Sequence, residues 1–360
     1  MSDWITTQWM NADFGDPRLN ARVIEIARAI MRNPGRSIPI QMHLWAATKA
    51  TYRFLSNPRI SRNMLLEGHV ASVLQEAARC KEVLFVQQSQ ELCFRGDWAD
   101  EPVTLGSDCP PASHVHLQTC LAITCDDQHT TILGLAGQLA WTGEEPTQEI
   151  SATKLQDPPG ALCLLKGIGE VPPSQSRWIN VSERNADGLH AFLCAALHLG
   201  WDVILHLIED CWVLVDEHRA RLFPYLRVMK PLGDYHLELP ESLCSHGEHM
   251  LVQLRVGTVI IPSAQRQGRS VQLNAAHIQG EQLEWVLLTT QSLDCVEDVI
   301  RVLRCYGKKR IVDDYHHCLT KTFDIENSRL RTSEANMKLL GLLSVLATRL
   351  VADQQEVASC

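Results

Sequence analysis

Leu19, Val23, Ile26 and Ile30 recur at spacings of three and four, so residues 17–33 form a predicted helix with one apolar stripe. Asp16 stands where an N-cap belongs, Pro17 takes the favoured first position, and Asn33-Pro34-Gly35 ends the run. Arg18, Arg22, Arg28 and Arg32 fall largely off the stripe. Two more helical stretches cover residues 43–55 and 60–79. Such a head is either a small bundle with a solvated charged face or one that presents arginines to phosphates. From Glu82 the apolar period becomes strand-like. Residues 83–94, 114–125 and 130–141 read as an antiparallel meander, with turns marked at 102–113 and 126–129. Residues 142–175 are polar and proline-bearing, which predicts a loop with a short helix. A buried strand over 177–183, a helix over 186–200 closed by glycine and a strand over 202–210 follow. The order β-β-β-α-β-α-β predicts a mixed α/β sheet with helices on its faces. Short apolar alternations over 211–282 predict an inserted antiparallel β unit, then a strand at 283–290 and long helices over 294–321 and 333–356.

Length and composition narrow the class. A chain of 360 residues exceeds what one core usually sustains, so one large domain with one or two smaller units is expected. The pattern divides the chain into a helical unit over 1–80, a first core segment over 81–210, the β insertion over 211–282 and a last strand with helices over 283–360. No apolar run approaching the ~20 residues of a membrane helix stands out. The N-terminal segment is acidic and lacks an apolar signal core, so secretion is not expected. Thirteen cysteines without a CxxC pair point to single thiols in a reducing cytoplasm rather than a disulfide framework.

The formal charge of −9 is unevenly spread. Residues 1–62 carry nine Arg/Lys against four Asp/Glu, or +5, and the rest carries 24 against 38, or −14. An anionic partner is therefore expected at the head.

Few motifs carry chemistry by themselves. GIGE at 167–170 lacks a third glycine and reads as a turn, and no Gly-x-Ser-x-Gly elbow is present. His316, His317 and Cys318 are adjacent rather than at metal-ligand spacing, and read as polar helix-face residues. Glu183 and Asp187 follow one strand, and Asp313 and Asp314 lie in a late helix. Carboxylates gathered from separate elements are what two-metal phosphoryl transfer requires, although each alone also suits a surface acid or cap.

Longer segments carry a resemblance. FGDPRLNAR (14–22), ATYRFLSNPRIS (50–61), INVSERNAD (179–187), LEWVLLTT (283–290) and YGKKRIVDDYHH (306–317) resemble the cut-and-paste DDE transposases of bacterial insertion sequences. The group is the one with a YREK signature, known from a composite kanamycin-resistance transposon. The resemblance implies a ribonuclease-H-like mixed sheet with an inserted antiparallel β unit, preceded by an all-α DNA-end-binding domain. It implies double-stranded DNA as partner and Mg²⁺ or Mn²⁺ as cofactor. In the family three carboxylates hold two metals that activate water and then the freed 3′-hydroxyl for cleavage, hairpin formation and strand transfer. Their positions fall here at Gln88, Glu183 and Asp313, so metal would rest on Glu183 and Asp313 alone. The signature becomes Tyr306, Lys309, Asp313 and Thr320, with Lys321 one place on. Trp285 matches the tryptophan that holds a flipped base, and Arg18, Arg22, Arg28, Arg32, Arg36 and Arg53 are the DNA-binding candidates of the head.

The departures have physical weight. Gln88 offers a neutral carbonyl where a bridging carboxylate belongs, and Glu183 and Asp313 displace their charges by one methylene in opposite directions. A misplacement of about 1 Å already costs about a hundredfold in rate. Gln90 shares the face of Gln88, Glu91 points away and Asp97 is too distant to substitute. Lysine at 309 lacks the bidentate fork of arginine. Family members also continue into a C-terminal helical region that pairs protomers, whereas this sequence ends at Cys360. Three functions follow: a transposase-derived binder of element ends with impaired cleavage, an active transposase with a Gln/Glu/Asp site, or an inactive remnant. The first implies a cytoplasmic, nucleoid-associated protein, alone or as a homodimer or a heterodimer with an active transposase, and no membrane partner.

Overall fold

Asp16 caps the first long helix. In the computed structural model its carboxylate accepts a hydrogen bond from the Arg18 N–H at 2.9 Å, and Pro17 opens the helix. The structure describes residues 2–95, 98, 112–125, 130–142, 159–238, 249–263, 269–281 and 283–358. The head comprises α1 (Ser2–Trp9), α2 (Pro17–Arg32), α3 (Ile38–Met42), α4 (Trp45–Leu55) and α5 (Arg62–Ala77). The hydrophobic pattern does not predict α1, which is too short to display a period. It is anchored by Trp9, whose buried indole N–H donates to the Leu65 carbonyl at 3.0 Å. Val23, Ile26 and Ile30 of α2 are buried, as the stripe requires.

The chain continues through β1 (Glu82–Arg95), β2 (Ala112–Cys125), β3 (Thr130–Thr142) and α6 (Pro159–Ile168). Next come β4 (Arg177–Arg184), α7 (Leu189–His198), β5 (Asp202–Leu207), β6 (Trp212–Val215), β7 (His218–Arg221) and α8 (Leu222–Val228). Then follow β8 (Gly233–Glu238), β9 (His249–Ile261), β10 (Val271–Gln279), β11 (Glu284–Thr289), α9 (Val296–Gly307), α10 (Lys309–His317) and α11 (Ser333–Ala358). Residues 102–111 and 126–129 of the expected turns, residues 143–158 of the expected loop and Asp97 lie outside the described residues. A helical head is thus followed by a mixed sheet with eleven strands among the described residues, in the order β3-β2-β1-β4-β5-β11-β10-β9-β6-β7 with β8 on β9.

Three local expectations change. The pattern over 294–321 forms two helices and a π-helical turn (Cys318–Thr322), because the chain leaves helix at Lys308, just after Gly307. The β insertion contains a helix, α8. A stretch of α11, residues 333–356, is long and apolar enough by composition to cross a membrane, yet 78% of its most apolar window is buried within the protein. Its apolar residues surround the helix because the helix is a core element.

Two compact units interleave along the chain. The first takes Met1–Ala77, Ser89–Glu144 and Asp313–Cys360, and the second takes Ala78–Gln88 and Glu145–Val312. The first unit is pinned by polar groups. His69 of α5 is buried, receives the Leu135 N–H of β3 on Nε2 at 3.0 Å, and lies with Nδ1 2.8 Å from the Gln8 amide oxygen. That N–H is available because the β2–β3 register shifts beside it, where Gly134 adopts φ +140°. A Cβ at Gly134 would stand 2.7 Å from the His69 Nε2. Deeper in, Gln138 accepts from the Arg62 guanidinium and from the Ser344 hydroxyl (2.8 Å), and donates to Tyr315 (3.0 Å) and Thr119 (3.2 Å). Burial lowers Arg62 to about 10 and raises the Tyr315 phenol. Lys338 of α11 is buried and donates to the Asn57 carbonyl at 2.7 Å.

The second unit holds the parallel strands. Phe85, Val86 and Gln87 of β1 stand opposite Asn180, Val181 and Ser182 of β4, and Glu183 of β4 stands opposite His206 of β5. Trp178–Ser182 are buried without alternation, as expected of a parallel strand covered on both faces. β11 pairs antiparallel with β5 and β10, and β8, β9 and β10 form the antiparallel insertion.

Candidate functional site

The carboxyl ends of parallel strands gather side chains at one edge of a sheet, which is where α/β folds place their ligands. Gln88 and Glu183 each stand one residue beyond the registered pair Gln87–Ser182, and His206 lies beside Glu183. Tyr306 from α9 and Lys309, the first residue of α10, close on this edge. The Tyr306 hydroxyl lies 2.9 Å from Glu183 Oε1 and 3.0 Å from His206 Nδ1. Lys309 Nζ is 3.2 Å from the same Oε1. Because His206 Nδ1 is 3.4 Å from that oxygen, Tyr306 and His206 form a short donor chain ending on the carboxylate. Trp285 of β11 sets its ring edge-on to Tyr306 at 5.5 Å between centroids, and to His206 at 6.2 Å. It is buried, with 8% of its surface exposed.

Burial pushes the Glu183 carboxyl up, but the His206 hydrogen bond, the Lys309 charge and the Tyr306 hydroxyl outweigh it and hold the group at about 2. Glu183 is therefore an anion whose charge is already balanced by Lys309. Two divalent metals need several anionic oxygens with lone pairs to spare. Here one position is the neutral Gln88 and the next is a carboxylate with three donors converging on one oxygen. Among the described residues no group of three or more His, Cys, Asp or Glu is arranged to hold a metal. These second-unit residues do not fit a metal pair.

The other sequence candidates lie in the first unit, apart from Asp187, which belongs to the second. Asp313 is exposed on α10, four residues after Lys309. Thr320 lies in the π-helical turn, where its hydroxyl donates to the His316 carbonyl at 3.1 Å, and Lys321 is exposed. Asp187 is exposed before α7 and Asp314 is half-buried. His316 and Cys318 are not polar face residues but buried ones. His316 Nε2 meets the Thr119 hydroxyl at 3.0 Å, and burial lifts the Cys318 thiol to about 11. None of the ten described cysteines forms a disulfide with another described residue.

Of the head arginines, Arg18, Arg32, Arg36 and Arg53 are exposed. Arg22 is held by Glu25 at 2.6 Å, and Arg28 is half-buried and donates to the Thr6 hydroxyl at 2.7 Å. Sequence reasoning missed His206. Its signal was a polar residue inside the apolar run DVILHL, two strand positions from the chain reversal that follows.

Residues 1–60 match the family model described as transposase DNA-binding. The helical head is thus a transposase-type DNA-binding domain, with DNA as its partner.

Proposed function

We propose that this is a transposase-related protein that binds the ends of a mobile DNA element through its head and does not cut them. One observation carries the second half of this reading: Lys309, Tyr306 and His206 converge on Oε1 of the Glu183 carboxylate and balance its charge, beside a neutral Gln88. The β-β-β-α-β-α-β order and the insertion before β11 support a ribonuclease-H-like core of the YREK transposase group. Arg18, Arg32, Arg36 and Arg53 are the exposed cations offered to the phosphates. Such a protein would work at the nucleoid on double-stranded element ends, and a heterodimer with an active transposase would make it a regulator of transposition. The test is one incubation of the purified chain with a labelled duplex ending in the element's terminal repeat, with Mg²⁺ or Mn²⁺ present. Retarded, salt-sensitive and uncut duplex is expected. Metal-dependent nicking would overturn the loss of cleavage, and absence of retardation at low salt would overturn the binding.

A further inference from the structure

Between Ile26 and Leu66 the chain has seven Arg/Lys and no Asp or Glu. Arg32, Arg36, Lys49, Arg53 and Arg59 in this stretch are exposed, and among the described residues none of them is paired with a carboxylate. α4 lies in the middle of it and divides cleanly into two faces. Thr48, Thr51, Phe54 and Leu55 are buried. At 3.6 residues per turn, Trp45, Lys49, Tyr52 and Arg53 lie together on the opposite face. Trp45 is 69% exposed, as is Leu44 before it, and Ile40 is 53% exposed. The Lys49 ammonium sits 5.1 Å from the centroid of the Trp45 ring.

An exposed tryptophan with apolar neighbours marks a surface that meets something. The unbroken positive charge around it selects a polyanion, and the aromatic stripe selects one with apolar edges between its charges. A DNA duplex has both, and its major groove, about 12 Å wide, admits one helix. The geometry points to α4 as the helix that enters DNA, with Trp45 in its first turn meeting base edges and sugars while Lys49 and Arg53 meet phosphates. This rests on the DNA-binding reading and adds three residues to it, Trp45, Lys49 and Tyr52, none of which stands among the head arginines already named. Tyr52 would extend the Trp45 contact by one further turn.

The test is anisotropy of a labelled mixed-sequence duplex titrated with the full chain over a range of salt. Trp45→Ala is expected to weaken binding by about tenfold or more without changing the salt slope, since it removes an apolar anchor. Lys49→Ala and Arg53→Ala are each expected to lower the slope by about one. Trp45→Phe should keep most of the affinity, which separates a lost contact from a misfolded head. Arg219→Ala, an exposed cation of the second unit, should bind like wild type. If wild type fails to bind at low salt, the DNA-binding reading itself falls. If wild type binds and the three α4 variants match it in affinity and slope, only the assignment of α4 falls, and the face belongs to a protein partner instead. Equal losses in the α4 variants and in Arg219→Ala would also overturn it.

Discussion

Replacing His69 by glutamine should flatten the acid dependence of stability in the first unit. The imidazole is buried between the Leu135 N–H and the Gln8 amide, and among the described residues no carboxylate is paired with it to stabilise a second proton. Burial lowers it from 6.5 to about 4. The unfolded chain therefore takes up the proton first. Stability falls as the pH drops below about 6.5, and the loss is complete near the folded value of about 4. The full gap corresponds to about 3 kcal/mol, of which about 2 kcal/mol is expressed by pH ~5. Glutamine can still accept from Leu135 but cannot titrate. Urea unfolding of wild type and His69→Gln, followed by far-ultraviolet circular dichroism at pH ~7.5 and pH ~5, gives the comparison. Wild type should lose about 2 kcal/mol more than the variant over that interval. Parallel losses would show that His69 titrates normally and that the bulge does not hold it neutral.

Three further outcomes follow from the same contacts. Gly134→Ala forces a Cβ to 2.7 Å from the His69 Nε2 at a φ of +140°, and should cost about 2–4 kcal/mol in thermal or urea unfolding. Tyr315→Phe strips the hydroxyl that accepts from Gln138 at 3.0 Å, leaving a buried donor unmet, and should cost about 1–2 kcal/mol by the same measurement. Because Glu183 is held at about 2, its stabilisation is present above its ordinary pKa of 4.5 and is lost as the pH falls toward 2. Glu183→Gln should therefore cost about 1–2 kcal/mol at neutral pH after allowance for solvent screening, and the wild-type advantage should vanish in an acid titration.

Much of the architecture is legible in the chain because single elements carry strong local patterns. The stripe of α2, its Asp16 cap and the apolar runs of β1 and β4 each specify their own structure with little help from elsewhere. What escapes is set at a distance. α1 is fixed by a Trp9 indole that reaches Leu65, a contact 56 residues away that leaves no period behind. The 294–321 run looks continuous because its apolar spacing carries on across Gly307, while the backbone does not. His206 joins the Glu183 cluster only through the β4–β5 register, which a lone sequence does not state. The resemblance points to Glu183, Tyr306 and Lys309, yet their contacts with one another are visible only in three dimensions. Burial of His316 likewise depends on Thr119, 197 residues earlier.

The interleaving of the two units bears on how the protein is made. Residues that secure the first unit are synthesised long after the head. Lys338 reaches Asn57 across 281 positions, and Ser344 reaches Gln138 across 206. Contacts of such high order form slowly and only after α11 has left the ribosome. Until α11 arrives, the DNA-binding head lacks these supports, so a nascent chain would engage DNA poorly. A protein built this way becomes fully competent for DNA only once α11 has been made and packed.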